Sequence, residues 1–106
     1  MGYYTDFNLE VIGGHHEILA EIIESDEDTF YGLDKDGNSY DRVKWYDHEV
    51  DMKKVSKEYP ELVFKLSGEG EEAGDLWIKY FKNGRMQYCP AKITYDDYDE
   101  TKLAGQ

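Results

Sequence analysis

Three observations on this sequence of 106 residues predict an α+β domain. Apolar residues alternate with period two near the start, two amphipathic stretches show helical spacing, and an Asn-Gly pair separates two β-prone runs near the end. Residues 3–12 place Tyr3, Thr5, Phe7, Leu9 and Val11 on one face and Tyr4, Asp6, Asn8 and Glu10 on the other, the pattern of a half-buried strand. Gly13-Gly14 breaks the alternation. Residues 15–25 then set Ile18, Leu19, Ile22 and Ile23 along one stripe with Glu17, Glu21 and Glu24 outward, which predicts a helix.

Residues 29–43 hold two short β-prone runs around Asp36-Gly37, so a hairpin, or one strand with a bulged tip, is expected there. A second helix follows, with Asp47 placed to cap its start and Glu49 and Asp51 in a first turn where the helix dipole favours negative charge. Met52, Val55 and Tyr59 form its inward stripe, Glu49 and Lys53 make an i,i+4 pair, and Pro60 closes it. Leu62, Phe64 and Leu66 mark the buried side of a strand over 62–66, and residues 68–74, rich in glycine and glutamate, read as an exposed loop. Residues 75–82 and 85–95 flank Asn83-Gly84 as a terminal hairpin. Pro90 has no ladder donor, which places its strand on an edge or at a bulge. The order predicts a ferredoxin-like βαββαβ sheet with both helices on one face and an added C-terminal hairpin. Residues 1–95 form the single domain, and 96–106 form an acidic tail that frays.

Composition narrows the function. Leu, Ile, Val and Phe total only 22, but ten Tyr and two Trp argue for a folded chain over an acidic disordered one. Twenty-four acidic against 12 basic residues leave a net charge of −12, which opposes direct binding to nucleic acid or anionic membranes. No apolar run is long enough to span a bilayer, and the first residues lack the basic and apolar regions of a signal peptide, so a cytosolic protein is expected. The single cysteine, Cys89, allows no internal disulfide and reads as a half-buried strand residue.

Candidate chemistry fails on geometry. Asp34, Asp36 and Asn38 imitate the start of a calcium loop, but Ser39 stands where that loop needs Gly and Trp45 where it needs a closing Glu. His15, His16 and Glu17 are adjacent on a helix and point apart, so no metal site is expected. His48, between Asp47 and Glu49, has no nucleophile motif beside it and reads as part of a solvated helix start. Glycines 68, 70 and 74 are accompanied by Glu69, Glu71 and Glu72, which repel a phosphate. Neither a catalytic group nor a cofactor is expected.

The runs at 44–49, 68–77 and 79–84 resemble uncharacterised small proteins of bacterial phages, prophages and plasmids, and more distantly the YubB-type ferredoxin-like domain of mobile elements. The resemblance implies a mobile-element origin. Small acidic proteins of that kind include inhibitors of host defence such as anti-CRISPR proteins, whose partner is a nucleic-acid-handling host protein, a CRISPR effector among them.

The first expectation is therefore a non-enzymatic binding protein of the bacterial cytosol. Glu24, Asp26, Glu27, Asp28, Glu69, Glu71, Glu72 and Asp75 would occupy a basic surface of such a partner, with tyrosines as anchors. For a compact body about 33 Å across, −12 approaches the charge of duplex DNA of equal length, about 19. The alternative is a small-molecule sensing module with Trp77, Tyr80 and Tyr88 lining its site. A third reading, an enzyme acting through His48, has least behind it.

Overall fold

The computed structural model describes residues 3–13 and 16–105. Within them, β1 (Thr5–Val11), β2 (Phe64–Gly70), β3 (Leu76–Lys82) and β4 (Arg85–Pro90) form one sheet. Helices α1 (His16–Ser25) and α2 (His48–Glu58) pack on one face of it. This is an α+β architecture, two helices against a four-stranded antiparallel sheet, consistent in coarse form with the expected class.

The strand order differs from the βαββαβ expectation. Every neighbour is sequential and antiparallel, β1-β2-β3-β4, and the chain from β1 to β2 carries both helices. The physical reason lies in residues 29–43. Their Asp-Gly turn forms: Asp34 Oδ1 accepts the N–H groups of Asp36 and Asn38, and Gly37 sits at φ 88°. Their arms make only isolated bridges instead of ladder strands. Residues 37–43 run along the outer edge of β1, where Leu9 N–H donates to Gly37 O (2.8 Å) and Thr5 and Val43 exchange N–H···O bonds of 2.9 Å. That segment covers one sheet edge. β4 forms the other, the position that Pro90 demands.

Two boundaries also shift: the strand expected over 85–95 ends at Pro90, and β2 runs further than expected. β2 continues through Gly68-Glu69-Gly70, residues expected in a loop, because a bare backbone is needed there: a Cβ on Gly68 would overlap the Trp77 indole, and one on Gly70 would overlap Tyr3 and Asp75. Asp47 precedes α2 without a side-chain capping bond. The start of α1 expected at His15 lies outside the described residues.

Alternation delivers the core. Phe7, Leu9 and Val11 of β1, Phe64 and Leu66 of β2 and Phe81 of β3 meet Leu19, Ile22 and Ile23 of α1 and Met52 and Val55 of α2. Phe30 and Leu33 close it from the intervening segment. Leu9, Met52, Phe64, Leu66 and Phe81 have no exposed area, each contributing on the order of 1.5–3 kcal/mol by burial. Asn83 and Gly84 at φ 48° and 79° form the two-residue turn between β3 and β4.

The molecule is longer than a compact chain of this size. Its radius of gyration is 17.1 Å against about 13 Å expected, and its extents are 58 × 35 × 23 Å. Residues 91–105, exposed at every position, run out from the body. Asp99 caps a 3-10 turn over Glu100–Lys102, accepting from the Thr101 N–H at 3.0 Å and its hydroxyl at 2.7 Å. No helix among the described residues is long and apolar enough to cross a membrane.

Candidate functional site: an acidic end and a buried cation

Tyr4, at the entry to β1, is where the two predicted acidic segments meet. Its N–H donates to Glu71 Oε2 (3.0 Å), and it borders a cleft that Asp28 also lines. Tyr3 fastens the same corner: its hydroxyl donates to Asp75 and accepts the Glu72 N–H (3.1 Å), and its N–H donates to the Tyr46 hydroxyl (2.7 Å). The hydrogen bond to Asp75 raises the Tyr3 pKa above the usual phenol value. Tyr3 and Tyr4 thus border both Asp28 and the 71–75 stretch at one end of the sheet.

The eight predicted carboxylates divide by role. Asp26 accepts from the Thr29 N–H (3.4 Å), and Glu71 and Asp75 hold the tyrosine corner, so these three shape the loops. Glu24, Glu27, Asp28, Glu69 and Glu72 are exposed. Among the described residues none of the eight lies within 4.0 Å of a Lys or Arg nitrogen. Cations nevertheless stand among them: Arg42 Nε lies 3.3 Å from Asp6, Lys44 Nζ sits 5.0 Å over the Tyr4 ring, and Lys35 lines a cleft with Glu24 and Glu27.

Sequence reasoning missed three contributors. Asp6 stands directly across from Glu69 in the ladder, and Asp34 and Asp36 line a cleft with Glu24 and Glu27. Cross-strand pairing and the fold of the 29–43 segment, both tertiary facts, bring them in. Exposed Tyr31, Tyr40 and Tyr46 belong to the same region.

A group of basic residues sits at the opposite end. Lys82 pairs with Arg85 across the β3–β4 turn, and the Lys57 side chain lies against Gly84, whose N–H donates to Ser56 Oγ (2.8 Å). Lys53 and Lys54 precede them on α2.

His48 contradicts its reading as part of a solvated helix start. Its ring stacks on Trp77 (5.1 Å between centroids, 11° between planes) and lies 5.4 Å from Phe7. Its Nδ1 donates to Trp45 O (2.7 Å), leaving Nε2 to accept from Lys79 Nζ (2.7 Å). Lys79 is only 8 % exposed and also pairs with Glu49 (2.6 Å) and with the Trp77 face (4.3 Å). Burial lowers the His48 pKa below its usual value, and the Lys79 charge adds to that, while the Lys79 ammonium holds Glu49 below the usual carboxylate range. Both His48 nitrogens are thus engaged within the protein, Nδ1 by Trp45 and Nε2 by Lys79. The sequence sets Lys79 at alternate positions from Trp77 and Phe81, but only the sheet register shows that this phase is buried and meets His48.

Trp77, Tyr80 and Tyr88 do not converge. Trp77 and Tyr88 lie on the helix-covered face with Lys79, and Tyr80 lies on the opposite one. That opposite face carries an open groove of about 660 Å³ bordered by Asp6, Asn8, Ser67, Ile78 and Cys89. Cys89 is half-buried, and no cluster of three metal-ligating side chains occurs among the described residues. No family model, curated protein or solved structure matches the chain.

Proposed function

We propose that this chain is a non-enzymatic binding protein whose acidic end occupies a basic, nucleic-acid-binding surface of a partner protein. With the resemblance to mobile-element proteins, the reading extends to an inhibitor of host defence of the anti-CRISPR kind, working in the bacterial cytosol. The observation that carries it is the unneutralised acid around the tyrosine corner. Carboxylates with no cation within 4.0 Å, from two segments 40 residues apart in sequence, border one residue, Tyr4. A protein needing only solubility gains nothing from holding like charges together at a cost in self-repulsion. Tyr31 and Tyr46, exposed beside the acid, offer rigid aromatic anchors of the kind that dominate interface energetics.

The test is association with candidate basic partners, read by displacement of labelled duplex DNA from them. Affinity should fall steeply between about 50 and 200 mM salt. Neutralising Glu24, Glu27, Asp28, Glu69 and Glu72 together as Gln or Asn should abolish displacement. Binding that ignores both salt and these substitutions would refute the reading. The open groove supports a second reading, a small-molecule module, because it combines Ile78 and Cys89 with the polar edges of Asp6, Asn8 and Ser67. Stabilisation of several degrees by one compound in a metabolite screen would favour it.

A further inference from the structure

The terminal hairpin and the tail that follows it carry opposite charge. Residues 76–92 contain Lys79, Lys82, Arg85 and Lys92 and no acid, whereas residues 96–100 contain Asp96, Asp97, Asp99 and Glu100 and no base. Lys79 is committed to Glu49, but Lys82, Arg85 and Lys92 form no ion pair among the described residues. The tail's own ion pair, Lys102 with Asp96, is exposed and long at 3.7 Å.

The hairpin also holds the free sheet edge. A two-residue turn makes Lys82 and Arg85 a hydrogen-bonded pair, so Arg85, Gln87 and Cys89 direct their backbone groups inward to β3. The bond from Ala91 N–H to Leu76 O (2.9 Å) continues that phase. The N–H groups of Met86 and Tyr88 therefore point outward, beside a half-exposed Tyr88 ring. At the far edge of the sheet residues 37–43 cover β1, and among the described residues β4 has no equivalent cover.

We propose that the acidic tail of one copy of this chain adds as an extra strand to the β4 edge of a second copy, giving a reciprocal dimer. The tail leaves the end of β4, passes Gly74 with Ile93 in contact range (3.6 Å to a Cβ at that position), and is exposed at every residue of a molecule 58 Å long. To cover its own β4 it would have to double back, but a second copy receives it straight. Because the same two segments meet twice about a two-fold axis, the pairing is antiparallel and self-complementary. Ile93, Tyr95, Tyr98 and Leu103, exposed along the tail, gain a surface to pack on.

The experiment is sedimentation equilibrium of the full chain at about 150 mM salt, up to about 200 μM. A monomer–dimer equilibrium is expected, with Met86 and Tyr88 amides becoming protected from hydrogen exchange as concentration rises. D96N/D97N/D99N/E100Q should raise the dimer dissociation constant at least about tenfold, although it reduces repulsion between copies. R85E should act in the same direction. These residues lie outside the acidic end assigned to a foreign partner, so the two readings fail independently. A chain that stays monomeric overturns the proposal, including the case in which a peptide of residues 93–103 still binds it and the edge serves a foreign strand. A quadruple variant that dimerises as tightly as the unaltered chain overturns it too.

Discussion

Gly37 shows how one residue can decide a fold. It sits at φ 88° with its would-be Cβ directed into the Leu9 carbonyl, so both backbone freedom and the missing side chain are needed where residues 37–43 cross to β1. Gly37→Ala should cost about 2–4 kcal/mol, measured by urea denaturation. His48 makes a second prediction. The unfolded state protonates it near its usual value of about 6.5, whereas burial and Lys79 hold the folded value lower, so the unfolded state binds more protons as pH falls through that window. Stability should decline from pH 7 toward 5, and His48→Gln should flatten that slope. Glu49 is depressed as well, so its stabilisation is present above its unfolded value and lost as pH falls through the folded one, a separate decline at lower pH that H48Q should leave in place. Lys79→Met should raise the His48 pKa, read by NMR titration, because it removes a neighbouring positive charge.

At the scale of elements, α1 is stable despite its charges. Its last turn carries Glu24 and no basic residue, against the partial negative charge of a helix C-terminus. Leu19, Ile22 and Ile23 hold it to β1 by burial. Glu24→Gln should therefore stabilise the chain by about 0.3–1 kcal/mol while weakening partner binding, the opposite signs expected where acid is kept for recognition. α2 is anchored differently: Met52 and Val55 supply its core contacts, and His48 and Glu49 at its start grip Lys79 of β3. Its dipole is satisfied by Glu49 and Asp51 at one end and Lys57 at the other.

For the whole molecule, charge placement matters more than the sum. A net −12 is set against a cluster of bases, Lys57, Lys82 and Arg85, at the β3–β4 turn, the end of the sheet away from the tyrosine corner. Raising salt from about 20 to 300 mM should raise the melting temperature, since screening relieves repulsion among carboxylates with no cation partner. The same salt should weaken partner binding, so stability and affinity should move in opposite directions across one titration.

The period-two run of β1, the helical stripes of α1 and α2 and the Asn83-Gly84 turn were all determined by the sequence alone. Each depends on contacts within a few residues and on which side chains avoid water. Sheet order, the edge taken by residues 37–43, the burial of Lys79 against His48, and the meeting of two acidic segments at Tyr4 were decided only by tertiary structure. These depend on which backbone groups and charges find partners across 30 residues or more, and no local pattern encodes that choice.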